Sequence, residues 1–141
     1  MQGIKERPEF EAYQKVKLLG EGSFGKAFLV RRVTDSNMCV MKMIDIGRMS
    51  EKEKKETLQE ARLLEAFSHP NIVTFIEVFK TKRGKLCILM DYCDGGDLQG
   101  RIKAQRGRAF SEAQILDWFT QICLGMKHIH DRKVIHRDLK G

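Results

Sequence analysis

The sequence predicts an α+β fold: a five-stranded antiparallel sheet with one helix inserted after its third strand, then a glycine hinge and a helical segment. Three observations carry this. Apolar runs of strand length are joined by short polar or glycine-containing turns, as antiparallel neighbours allow. Strands and helices do not alternate as βαβ, which argues against a doubly wound dinucleotide-binding sheet. Beyond Asp94-Gly95-Gly96 the apolar residues keep only helical spacing.

Taken in order, residues 1–11 are polar and charged and read as a flexible lead-in. Val16, Leu18 and Leu19 lead into Gly20-Glu21-Gly22-Ser23-Phe24-Gly25, and Ala27-Phe28-Leu29-Val30 resumes an apolar strand, so the glycines form the turn of a hairpin. Residues 31–37 are a polar turn and 38–46 a third strand. Ser50 with Glu53 three places on is a capping-box signature, opening a helix that runs to about Phe67, with Glu51 and Lys55 as an outer-face pair. Pro70 biases its predecessor away from helical angles and ends it. Residues 72–79 and 86–92 read as two strands joined at Lys82-Arg83-Gly84-Lys85, and the unbroken run Leu86-Cys87-Ile88-Leu89-Met90 predicts burial on both faces. A short helix follows over about 97–105. Ser111 then caps the longest helix, which runs to about Asp131 with an apolar stripe of Ile115, Leu116, Phe119, Ile122, Cys123, Met126 and Ile129.

An apolar share of 42% suffices for a packed core, and a charged share of 32% implies long exposed helix faces. The net charge of +7 suits a lysine-rich surface. Aromatics do not interleave with the basic groups, so no nucleic-acid partner is expected. No apolar stretch has membrane-spanning length, and none is expected to anchor in a membrane. Cys39, Cys87, Cys93 and Cys123 form no C-x-x-C pair, and three of them lie in apolar runs. That pattern predicts buried free thiols, a reducing compartment and no zinc. A cytosolic, nuclear or cytoskeletal address follows.

Five chemical features stand out. Gly20-x-Gly22-x-x-Gly25 lets backbone N–H groups approach oxyanions, although a plain hairpin turn explains such a motif about as often. Lys42 lies mid-strand among apolar residues; it either snorkels at a sheet face or neutralises phosphate under the glycine loop. In the second case it needs a carboxylate, and Glu60 in the next helix is the candidate, the plainer alternative being an exposed helix glutamate. The hinge of Asp91 to Gly96 follows. Last comes Val134-Ile135-His136-Arg137-Asp138-Leu139-Lys140, ionisable groups at the end of an apolar approach. Each feature is common alone; their order and context are not.

In that order they resemble the N-terminal half of a eukaryotic protein-kinase catalytic domain, over about Tyr13 to Lys140. Leu19 to Gly25 is similar to the glycine-rich loop, Val40-Met41-Lys42 to the strand-three lysine, Glu60 to the helix-C glutamate, and His136-Arg137-Asp138 to the catalytic loop. The hinge wording Asp91-Tyr92-Cys93-Asp94-Gly95-Gly96-Asp97-Leu98, Trp118-Phe119 with Gln121-Ile122, and His130-Asp131-Arg132-Lys133 most resemble the NIMA-related Ser/Thr kinases. The resemblance implies an N-lobe over 12–90, a hinge over 91–96 and a partial C-lobe over 97–141.

It also implies roles. ATP and magnesium are the implied cofactors, and proteins carrying Ser or Thr the implied partners. Residues of the loop Gly20, Glu21, Gly22, Ser23, Phe24 and Gly25 would wrap the phosphates. Leu19, Ala27 and Val40 would sandwich the adenine, with Met90 as gatekeeper, and backbone groups of Asp91 and Cys93 would hydrogen-bond it. Asp97 would reach the ribose. Lys42, held by Glu60, would neutralise phosphate charge, Asp138 would accept the substrate hydroxyl proton, and Lys140 would steady the γ-phosphate. Leu64, Phe75 and His136 resemble members of a column linking the lobes, and Arg137 the arginine that docks a phosphorylated loop.

Two departures matter. Ala27 stands where the family pattern has valine. The magnesium-binding asparagine would fall five places after Asp138, and neither it nor Asp-Phe-Gly occurs in residues 1–141. The expectation is a Ser/Thr kinase domain, truncated and catalytically incomplete, with no metal ligands of its own. The alternative is a non-catalytic module that binds ATP or partners. The blandest possibility is a fragment without its own function, whose exposed stripe from Ile115 to Ile129 would favour self-association.

Overall fold

The computed structural model describes residues 3–8, 10–22, 25–137 and 139–140. The chain divides into two compact units, Met1–Ala66 with Thr74–Tyr92, and Phe67–Val73 with Cys93–Gly141.

The first unit holds β1 (Tyr13–Gly22), β2 (Gly25–Arg32), β3 (Met38–Asp45), α1 (Glu51–Glu65), β4 (Phe75–Lys80) and β5 (Lys85–Asp91). The strands form one antiparallel sheet in the order β1-β2-β3-β5-β4. The unbroken apolar run of β5 thus has partners on both sides, and Leu86, Cys87, Ile88 and Leu89 are all buried. Alternation sends them to two cores. Cys87 and Leu89 join Tyr13, Phe28, Val30, Cys39, Met41 and Phe79 on one face. Leu86 and Ile88 join Ile44, Ile46 and Ala61 on the face covered by α1. Burying a side chain such as Phe79 contributes about 1.5–3 kcal/mol.

The β2–β3 turn is held by Asp35, whose carboxylate accepts from Asn37 N at 3.1 Å, Asn37 Nδ2 at 2.8 Å and Arg32 Nε at 3.0 Å. α1 begins with the expected capping box: Glu53 N donates to Ser50 Oγ, and Ser50 N donates to the Glu53 carboxylate at 2.9 Å. The expected pair of Glu51 with Lys55 is replaced by Glu51 with Lys54 at 3.1 Å. Positions three and four along a helix both neighbour the acid, and here the nearer lysine takes it.

The lead-in is not free. Arg7 N donates to Lys80 O at 2.9 Å and Lys80 N to Lys5 O at 2.8 Å, making a short parallel bridge on the outer edge of β4. The Arg7 guanidinium lies 4.3 Å over the Phe79 ring and pairs with Glu77. An otherwise bare sheet edge is thereby covered.

The second unit holds α2 (Leu98–Ala104) and α3 (Glu112–Asp131). Ser111 caps α3, accepting from Gln114 N at 3.2 Å. Phe110 meets Trp118 edge to face at 4.9 Å. Residues 67–73, which the sequence assigns to the span 12–90, pack with α3. A Cβ on Gly125 would lie 2.9 Å from Asn71 O, and Asn71 Nδ2 donates to Gln121 at 3.3 Å. The fourth strand starts at Phe75 and not at Ile72. Among the described residues no helix is long and apolar enough to cross a membrane. No disulfide joins the cysteines among the described residues; Cys39 and Cys87 are buried, but Cys123, expected to be buried, is exposed with much of the α3 stripe.

Candidate nucleotide and catalytic site

The candidate adenine and phosphate residues of the first unit are brought together by strand register. Ala27 pairs with Lys42 and Lys42 with Ile88, while Leu29 pairs with Val40 and Val40 with Met90. Cross-strand partners share a face, so Ala27, Val40, Lys42 and Met90 all lie on the face that carries Ile88 and α1. Ala27, Val40 and Met90 are only partly buried, and the Lys42 side chain is exposed. Leu19, at the irregular step between Leu18 and Gly20, is 41% exposed.

The three glycines of the loop differ. At Gly20 and Gly22 an added Cβ would meet nothing within 4 Å among the described residues. At Gly25 it would strike Met43 O at 1.9 Å. Gly25 is thus required by close packing of β2 on β3. Gly20 and Gly22 leave open space beside the backbone, a cradle that suits a bound phosphate chain. Glu21 is engaged across the hairpin with Lys26 at 3.1 Å. Ser23 and Phe24 lie outside the described residues.

Lys42 and Glu60 are not joined: none of the ion pairs among the described residues links them, and both side chains are exposed. Leu64 and Phe75 both pack against the core beneath α1. The Asp91 N–H already donates to Thr74 O at 3.0 Å, so a ligand could not take that donor without breaking this bond.

The remaining candidates lie in the second unit. Cys93 is exposed. Asp97 has a structural task that its proposed ribose contact did not suggest: it is the N-cap of α2, and its Oδ1 accepts from Gly100 N at 2.7 Å. An aspartate directly before a short helical period is the signal for this. Lys140 is exposed, and Asp138 lies outside the described residues. Its predecessor Arg137 has φ 65°, a left-handed backbone uncommon for a residue with a side chain. No local sequence signal marks that conformation. Among the described residues no group of three or more His, Cys, Asp or Glu could hold a metal ion.

A sheet with a glycine hairpin at its end, a strand lysine beside it and a helix across that same face is the frame of a phosphate-handling enzyme lobe. A sequence profile of the protein kinase domain matches residues 13–141, and the chain belongs to that family. It is 54% identical over 131 residues, 93% of its length, to the serine/threonine-protein kinase Nek1 of Mus musculus. It is 52% identical over 131 residues, again 93% of its length, to Nek5 of Homo sapiens. It is 48% identical over 129 residues, 92% of its length, to Nek3 of Mus musculus. These are NIMA-related Ser/Thr kinases, in agreement with the resemblance in the hinge and in α3, and the family is enzymatic. The chain spans 11%, 18% and 24% of the lengths of those three relatives.

Proposed function

We propose that these residues form the nucleotide-binding part and the beginning of the catalytic loop of an enzyme that transfers the γ-phosphate of ATP to Ser or Thr of a protein. The observation that carries this is the gathering of Ala27, Val40, Lys42 and Met90 on one sheet face, beside a hairpin whose Gly20 and Gly22 leave room for phosphates. In this reading the apolar side chains hold the adenine and the Lys42 ammonium offsets phosphate charge. Glu60 orients Lys42 once the two meet. Asp138 takes the proton of the attacking hydroxyl, and Lys140, two places on, steadies the γ-phosphate and favours Ser/Thr over Tyr substrates.

Magnesium, when bound, neutralises charge on the phosphates. Residues 1–141 do not supply the ligands this family uses for it, since no asparagine follows Asp138 and no Asp-Phe-Gly occurs. Residues 1–141 by themselves are therefore expected to bind ATP without turning it over, and a chain that continues the domain is expected to be active. The burial of the Cys39 and Cys87 thiols supports a reducing compartment, in the cytosol, nucleus or cytoskeleton.

Isothermal titration of the 141-residue chain with ATP, against Lys42→Met, tests binding. Phosphate transfer by a longer chain, against Asp138→Asn, tests catalysis, with a loss of at least about a hundredfold expected. Equal ATP affinity in the Lys42 variant, or full transfer by the Asp138 variant, would overturn the corresponding role.

A further inference from the structure

We infer that the end of the sheet where β3 hands over to α1 carries a binding site for a phosphorylated peptide, built around Arg48 and Arg83. A cavity of about 750 Å³ opens where β3 hands over to α1. Its lining includes Lys26, Phe28, Met43 and Lys85. Lys26 pairs with Met43 in the ladder, and Phe28 belongs to the core that includes Cys87 and Leu89. Lys26, Phe28 and Met43 line it from the face opposite Ala27, Val40 and Lys42, Met49 and Glu53 from the start of α1, and Glu21, Gly22 and Gly25 from the glycine hairpin, so the cavity opens at the end of the sheet.

The two arginines are brought to one rim by the backbone. Gly84 O accepts from both Ile46 N and Gly47 N, each at 3.0 Å, which ties the end of β3 to the β4–β5 turn. The tie is tight: Gly84 has φ 74°, and a Cβ there would meet Gly47 Cα at 3.1 Å. Arg48 follows one of these glycines and Arg83 precedes the other, so both line the same cavity.

The charges are unevenly used. Each of the three lining carboxylates is already engaged. Glu21 pairs with Lys26 at 3.1 Å. Asp45 accepts from Lys85 at 2.7 Å and from Gly47 N at 3.2 Å, with Arg48 adding to the positive field around it. Glu53 accepts from Ser50 N at 2.9 Å and from Ser50 Oγ at 2.7 Å. Arg48 and Arg83 enter none of the ion pairs among the described residues. Two such guanidiniums on one rim suit a dianionic phosphoryl group, which the fork geometry of arginine engages through paired N–H donors.

The floor selects what carries the phosphate. Phe28, Met43 and Met49 present apolar surface, and the volume exceeds what a phosphate group fills. The described lining residues include no hydroxyl, amide or imidazole side chain able to read a base edge or a sugar. A phosphoserine or phosphothreonine beside an apolar side chain meets both parts of the site, and a nucleotide meets only one. The site borders the glycine hairpin of the nucleotide reading but uses none of Ala27, Val40, Lys42 or Met90.

The test is an immobilised peptide array with a central phosphoserine and degenerate flanks, each spot duplicated with unmodified serine, probed with the 141-residue chain. Retention is expected on phosphorylated spots with an apolar neighbour, and is expected to fall at least about tenfold in Arg48→Ala/Arg83→Ala. Both side chains are exposed, so that variant should melt with the parent. Arg48→Lys/Arg83→Lys, which keeps the charge and loses the fork, should retain an intermediate signal. No retention on any spot, equal retention on unmodified serine, or equal retention by a normally melting double-alanine variant would each overturn the site. Loss of retention in the presence of free ATP, with no loss in the arginine variant, would assign the binding to the nucleotide site and overturn it too.

Discussion

A Cβ built on Gly25 would lie 1.9 Å from the carbonyl oxygen of Met43. Neither partner can yield cheaply, because both belong to the paired backbone of β2 and β3. Gly25→Ala is therefore expected to cost about 3 kcal/mol of stability. Gly20→Ala and Gly22→Ala meet no such obstacle and should stay within about 1 kcal/mol of the parent while weakening ATP binding. Denaturant melts and ATP titrations of the three variants separate the two roles. Equal destabilisation by all three would refute the distinction.

Tyr13 is buried, and its hydroxyl donates to Glu77, which also holds Arg7. Tyr13→Phe leaves Glu77 with one partner fewer and should cost about 1–2 kcal/mol. Burial, then the hydrogen bond and charge of Glu77, push the Tyr13 pKa well above its ordinary value near 10. The folded state thus holds the phenol proton more tightly than the unfolded state. The resulting stability is complete below about pH 10 and declines as pH rises further. Urea midpoints at pH 8 and pH 10.5 should show a steeper fall for the parent than for Tyr13→Phe.

Much of the fold was legible because its signals are local. The capping residues Ser50 and Ser111 sit where the helices begin, and the unbroken apolar run of β5 has cores on both faces. What escaped depends on contacts distant in sequence. Residues 1–11 look like a polar lead-in because the edge that Lys5 and Arg7 cover is formed by Lys80 and Phe79. The order of glycines, lysine and glutamate suggested a site. That Gly25 serves packing while Gly20 and Gly22 leave space could be seen only from the position of Met43. Asp97 shows the converse: the family resemblance points its carboxylate at a ribose, whereas its task within the chain is to cap α2.

His128 reports on the docking of α3 against residues 67–73. Its ring lies 5.0 Å from that of His69 and 6.2 Å from that of Phe67, and Arg132 contacts its Nδ1 at 3.1 Å. Desolvation first, then the positive charges of Arg132 and His69, hold its pKa below the ordinary value, with Asp131 opposing. A neutral imidazole is thus favoured in the folded state. Its contribution is complete above about pH 6.5 and is lost as pH falls below that. His128→Phe keeps a ring against Phe67 and removes the titration. The difference in melting temperature between pH 7.5 and pH 5.5 should therefore be smaller in the variant; equal pH slopes would exclude His128 as the source.

α3 shows how far packing of the second unit extends. Gly125 and Ile129 are buried, but Ile115 is 50% exposed, Leu116 54% and Phe119 61%. These three lie within two turns of one helix, so their apolar surface is contiguous, and contiguous apolar surface of this kind drives association. The 141-residue chain should therefore self-associate at micromolar concentration, visible as a rising sedimentation coefficient. Leu116→Glu/Phe119→Glu adds two charges to the exposed stripe without touching Gly125 or Asn71, and should restore a monomer with little change in helix content. A parent chain that stays monomeric up to about 100 μM, or a double variant that associates equally, would rule out this stripe as the contact surface.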